Sequence, residues 1–78
     1  MNEKHREKYR ILGLKIAYYR KKAGYTQEQL AEYIDKSVSF LGQIEANNGA
    51  KGKGISLDTL FDIADVLGVP AARFFDAD

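Results

Sequence analysis

QEQLAEYIDKSVSFLGQIE, residues 27–45, decides the fold of this chain. Leu30, Ala31 and Ile34 share one helical face, and Leu41 and Ile44 share another, with only Asp35, Lys36 and Ser37 between the two runs. Thr26 followed three residues later by Gln29 is a capping-box pattern, in which two side chains satisfy two orphan backbone N–H groups. Tyr25 and Leu30 stand at the apolar staple positions around it. Ser37 is a good N-cap for the second run. The inward positions lock two helices at a steep angle across a very tight turn, and the small Ala31 lets them approach closely.

Such a pair is a helix-turn-helix arrangement, whose second helix projects from the body and can enter a major groove. Two tightly turned helices also occur in proteins that never touch DNA. Upstream, the spacing predicts a helix from about Glu7 to Ala23, with Leu12, Ile16, Tyr19 and Ala23 on one face and Ile11, Leu14 and Tyr18 widening the apolar surface. Gly24 is the expected residue just past its C-terminus, and Arg20, Lys21 and Lys22 complement the dipole. Downstream comes a glycine-rich, slightly basic loop, Asn47 to Gly54. Ser56 then caps a fourth helix with Leu57, Leu60, Ala64 and Leu67 facing inward. Gly68 stops it, and Pro70 is placed to open a short fifth helix ending at Phe74 and Phe75. No stretch alternates with period two, so the fold class expected is all-α with about five short helices.

The composition removes competing classes. Seventy-eight residues make one domain with a small core. With no cysteine, disulfides and thiolate metal sites are excluded, and the lone His5 has no second imidazole with which to bind a metal. No apolar run approaches the roughly 18 residues of a membrane-spanning helix, and no signal peptide opens the chain. A cytoplasmic, nucleoid-associated module is therefore expected, with no cofactor, no membrane partner and no evident small-molecule effector. Gly52-Lys53 suggests a phosphate-binding loop, but Gly54 replaces the required Ser or Thr, Asn47 replaces a glycine and no strand precedes. No nucleophile–base pair stands out either, so no enzyme is expected. Net charge is +1, yet residues 1–22 carry +6 and residues 23–78 carry −5. This asymmetry presents a positive face to phosphates or simply solvates the first helix and a basic arm.

Thr26-Gln27-Glu28-Gln29-Leu30-Ala31, Gln43-Ile44-Glu45 and Ser56-Leu57-Asp58-Thr59-Leu60 occur in order, framed by Leu12, Ile16 and Arg20 upstream and by Ala64, Leu67-Gly68-Val69 and Phe75 downstream. Over about residues 11–75 the chain resembles the phage-repressor and Cro-type helix-turn-helix regulators, the XRE family. The resemblance implies a five-helix lambda-repressor-like domain that binds operator DNA, usually as a dimer. The expected division is a basic N-terminal arm over 1–8 and a helix-turn-helix domain over 9–76, with the motif at about 27–45.

Carried onto this chain, the resemblance implies a backbone phosphate contact for Gln27, whose alternative is a solvated first-turn residue. It places Val38, Ser39, Phe40 and Gln43 toward base edges. Gln43 suits an adenine edge, Ser39 either base class, and Val38 or Phe40 a thymine methyl. Lys36 and Ser37 at the turn suit phosphate, and Asn47, Asn48 and Lys51 the neighbouring backbone. Arg20 and Glu45 match positions that form a structural ion pair in the family. Three departures from the family pattern stand out. The second helix of the motif carries no arginine or lysine, Phe40 replaces a small or polar residue, and Asp35 replaces the usual turn glycine. Phe40 is open to partial burial or a protein contact, which would suit an interaction module such as an antitoxin or adaptor. For a homodimer contact the apolar candidates are Phe61, Val66, Val69, Phe74 and Phe75, of which Val69 and Phe75 read better as core.

Overall fold

The computed structural model describes residues 3–46 and 54–75. Among these residues four α-helices follow one another: α1 (Arg6–Lys22), α2 (Gln27–Tyr33), α3 (Val38–Glu45) and α4 (Leu57–Leu67). Short 3-10 helices flank them at Glu3–His5 and Ala71–Phe75. The expected fifth helix is thus a 3-10 segment rather than an α-helix. It opens after Pro70, whose carbonyl accepts from the Arg73 N–H at 3.0 Å, the shorter i→i+3 spacing. Among the described residues no helix is long and apolar enough to cross a membrane.

Each α-helix terminus that matters here has a visible cause. The capping box at α2 is complete: Gln29 N–H donates to Thr26 Oγ1 at 3.0 Å and Thr26 N–H to Gln29 Oε1 at 2.9 Å. Ser37 and Ser56 accept from the N3 amides of α3 and α4. α1 begins at Arg6, one residue ahead of the expected Glu7, and ends at Lys22. An i,i+3 pair between Glu7 and Arg10 (2.9 and 2.6 Å) laces its first turn. Hydrogen bonding from Arg10 holds the Glu7 carboxyl below its ordinary range, and Glu7 raises Arg10 in return.

The chain leaves α2 through a left-handed Asp35 (φ +58°), the one non-glycine residue with positive φ among those described. Lys36 N–H reaches Ala31 O at 2.9 Å and Asp35 N–H reaches Glu32 O at 3.1 Å, closing a Schellman turn in three residues. Glycine removes the side-chain penalty of that conformation, so Asp35→Gly is expected to stabilise the domain by up to about 1 kcal/mol. A urea melt reads it; an unchanged or lowered midpoint would mean the aspartate side chain contributes more than its conformation costs.

One core joins all four helices and the last 3-10 turn. Ile16, Leu30, Leu41, Ile44, Leu60, Ile63 and Phe74 are its fully buried members, and each aliphatic side chain contributes roughly 1.5–3 kcal/mol of burial. Several sequence assignments change. Leu57 is 62% exposed, because it lies about 70° around α4 from the centre of the face formed by Leu60, Ile63, Ala64 and Leu67. Ile63 and Thr59, not singled out by sequence, are buried instead. Ala23 is exposed past the end of α1, and its expected place on the inner face goes to Arg20. Phe74 is core and Phe75 is 62% exposed, the reverse of the expectation for Phe75. In a 3-10 turn neighbouring side chains point about 120° apart, so a one-residue offset exchanges inside for outside.

Candidate nucleic-acid interface

The motif's second helix, α3, has two unlike faces. Leu41 and Ile44 are buried against α1 and α2, while Val38, Ser39 and Gln43 are exposed. Those three side chains lie on the first turn and a half of the helix, within reach of one ligand surface. Phe40 departs from them: it is half-buried and packs against the core. The Lys36 ammonium lies 5.4 Å from the Phe40 ring centroid, a cation–π contact that holds a positive charge at the N-terminal end of α3. Ser37 is exposed, and its hydroxyl oxygen accepts from Phe40 N–H at 3.0 Å, leaving its own proton to donate elsewhere. Asn47, Asn48 and Lys51 lie outside the described residues.

What aims α3 is a polar cluster at its far end. Arg20 donates from Nε to Glu45 Oε2 at 2.7 Å, from Nη2 to Glu45 Oε1 at 3.0 Å, and from Nη1 to the Tyr25 carbonyl at 2.8 Å. Both charged side chains are more than nine-tenths buried. The fork ties α1, the entry to α2 and the end of α3 together with parallel charge-assisted bonds. Gln27 joins it, donating from Nε2 to Glu45 Oε1 at 2.9 Å. The Gln27 amide is therefore fixed, and its second N–H remains for another acceptor.

One residue in this arrangement escaped the sequence reading. Gly13, in mid-helix, faces the α3 backbone so closely that a Cβ there would overlap the Ile44 carbonyl oxygen and sit 3.2 Å from its carbon and 3.3 Å from Glu45 Cα. Interior glycine costs a helix about 1 kcal/mol against alanine, so its presence between Leu12 and Leu14 was the available signal of a close approach.

Comparison with known proteins gives the family and the fold. A helix-turn-helix family model matches residues 16–74. YazB of Bacillus subtilis (strain 168), an uncharacterized HTH-type transcriptional regulator, is 43% identical over 61 residues, which cover 78% of this chain and 83% of the relative. Among solved structures, the restriction-modification controller protein C.AhdI from Aeromonas hydrophila superposes with a TM-score of 0.81 at 22% identity, over 91% of this chain and 97% of that one, a likeness of fold. The clp gene regulator ClgR from C. glutamicum superposes with a TM-score of 0.77 at 25% identity, over 87% of this chain and 83% of that one.

Proposed function

Since the chain belongs to the helix-turn-helix family of DNA-binding transcriptional regulators, we propose that α3 enters the major groove and reads a short half-site, and that two copies act together on a pseudo-palindromic operator. The observation that carries this reading is the exposed trio on α3, with its buried opposite face anchored by Leu41 and Ile44 and its far end fixed by Arg20. Gln43 offers the bidentate amide that suits an adenine edge, Ser39 a short hydroxyl and Val38 an apolar contact for a thymine methyl. With no arginine or lysine on α3, the commonest guanine contact is absent and the half-site is biased toward A·T pairs. Phe40 takes the intermediate role of a wall, half in the core, that holds Lys36 toward the phosphates.

Gln27, Lys36 and Ser37 would set the register on the backbone, with Asn47, Asn48 and Lys51 on the neighbouring strand. A single helix reads few bases, and useful affinity comes from two copies on half-sites about 34 Å apart. The longest dimension of the domain, 31 Å, is close to that repeat. Such a regulator works on the nucleoid, without catalysis.

Selection from a random duplex library at roughly physiological salt tests the reading. The expected result is an A·T-rich inverted repeat, with enrichment at one position per half-site lost in Gln43→Ala and at another in Ser39→Ala. Each lost bidentate contact relaxes discrimination by about 1–3 kcal/mol. No enrichment from folded, concentrated protein would sink it and favour a protein-interaction module, for which exposed Val38 and Tyr33 would be the contact.

A further inference from the structure

The outward face of α1 leaves three apolar side chains outside the core. Ile11, Leu14 and Tyr18 are 39%, 52% and 56% exposed, while Leu12, Ile16 and Arg20 on the other side are buried. At about 100° per residue the three share one stripe, whose centre lies about 140° around the helix from Gly13 and Arg20, the residues that meet α3. The stripe therefore faces away from α3, and a partner seated on it leaves the reading helix open. Tyr18 is held in place there. Its ring stands edge-on to Tyr19 at 4.9 Å between centroids, and the Lys22 ammonium lies 5.7 Å from its centroid. Tyr19 in turn packs edge-on against the buried Phe74.

The spacing of this stripe is that of a helix-pairing seam. Ile11, Leu14 and Tyr18 stand at i, i+3 and i+7, the a, d and a positions of a heptad register. In that register Lys8, Lys15 and Lys22 all fall at e, a position that flanks the seam and selects its partner by charge. Arg10 falls at g on the other flank, hydrogen-bonded to Glu7. Leaving aside the buried Arg20, α1 carries six bases against the single acid Glu7. Glu7 and Lys21 take the d positions at either end, so the apolar seam covers two turns, about 10 Å. That suits a short, exchangeable contact rather than a permanent one.

The charges disfavour α1 of a second copy as the occupant. Antiparallel pairing sets e against e, lysine on lysine, and parallel pairing sets Arg10 at g beside Lys15 at e. What they complement is a helix with apolar residues at a and d, and with aspartate or glutamate along the flank that meets Lys8, Lys15 and Lys22. We propose that the outward face of α1 docks an acidic amphipathic helix of another protein, with Tyr18 as the aromatic anchor of the contact. This contact is separate from the reading of DNA by α3 and does not rest on it.

The probe is a labelled synthetic peptide of three heptads, with leucine at a and d and glutamate at e and g. It is titrated against the full chain and followed by fluorescence anisotropy and by amide shifts in NMR. Expected is binding at micromolar concentration with shifts concentrated on α1, and no binding by the same peptide carrying lysine in place of glutamate. Leu14→Asp and Lys8→Glu/Lys22→Glu should each weaken the acidic peptide by about tenfold or more. Their urea midpoints should stay close to wild type, because all three side chains are exposed. An acidic peptide that does not bind, binds the Leu14→Asp variant equally well, or shifts α3 instead of α1 overturns the proposal. Peptide silence together with vesicles of phosphatidylglycerol held through Leu14 would give the face to a lipid surface. Peptide silence together with self-association lost in Leu14→Asp would give it to a second copy, and either result overturns the protein partner.

Discussion

Gly13→Ala is expected to cost the domain about 2–3 kcal/mol, against the sign of helix propensity. Alanine in a helix interior gains about 1 kcal/mol over glycine. At position 13 the added carbon meets not a side chain that can rotate but the Ile44 carbonyl, with Glu45 Cα close behind. The α3 backbone must move outward, and everything on it is coupled: Leu41 and Ile44 leave their packing, and Glu45 is pulled from Arg20. Overpacking in a well-filled interior commonly costs about 1–3 kcal/mol, and a backbone obstacle lies at the upper end. Against a total stability of about 4–12 kcal/mol for a chain of this length, that is a large fraction. Gly42→Ala is the control. It too is in a helix interior, but a Cβ there meets only the Gln27 amide, 3.8 Å away. It should raise stability by about 0.5–1 kcal/mol. Urea midpoints at constant slope measure both, and an alanine at 13 that matches or exceeds wild type would show that α1 and α3 do not approach as described.

Breaking the Arg20–Glu45 fork is the second large effect. Arg20→Ala leaves a carboxylate with side chain 6% exposed and Gln27 as its remaining partner, and Glu45→Ala leaves a guanidinium held only by the Tyr25 carbonyl. Each is expected to destabilise the fold by about 3–5 kcal/mol, most of it the cost of an uncompensated buried charge. Arg20→Met/Glu45→Leu removes both charges and keeps most of the volume, so it should recover most of that loss. A double-mutant cycle from thermal or urea melts gives the coupling. If the double variant is no more stable than either single one, the fork itself contributes the stability and its desolvation is small. DNA binding separates the roles further. The double variant, though folded, should still bind less tightly, because Gln27 loses the carboxylate that fixes its amide and α3 loses the strut at its far end.

These two effects show how differently the chain discloses its parts. The helix-turn-helix over 27–45 was legible because its causes are local: a capping box at Thr26 and Gln29, an N-cap at Ser37, a three-residue turn and apolar residues at helical spacing. Family membership was legible for the same reason, as motif order survives in sequence. The fifth helix failed because α and 3-10 turns differ by one residue in hydrogen-bond reach, too fine a difference for apolar spacing to resolve. Leu57 and Phe75 failed because an apolar residue at the edge of a short helix can turn either way, and only the packed neighbours decide. The Arg20–Glu45 pair, 25 residues apart, was expected from resemblance alone, since no local pattern marks two distant charges as partners.

Sequence by itself thus determined an all-α chain, the turn that sets α2 against α3, and the inward pair Leu41 and Ile44 on α3, because capping, turn chemistry and periodicity act over a few residues. Only the tertiary structure decided that Gly13 is the point where α1 and α3 touch and that Glu45 holds both Arg20 and Gln27. Each of these depends on distances between segments far apart in the chain, which are fixed by how the whole core closes.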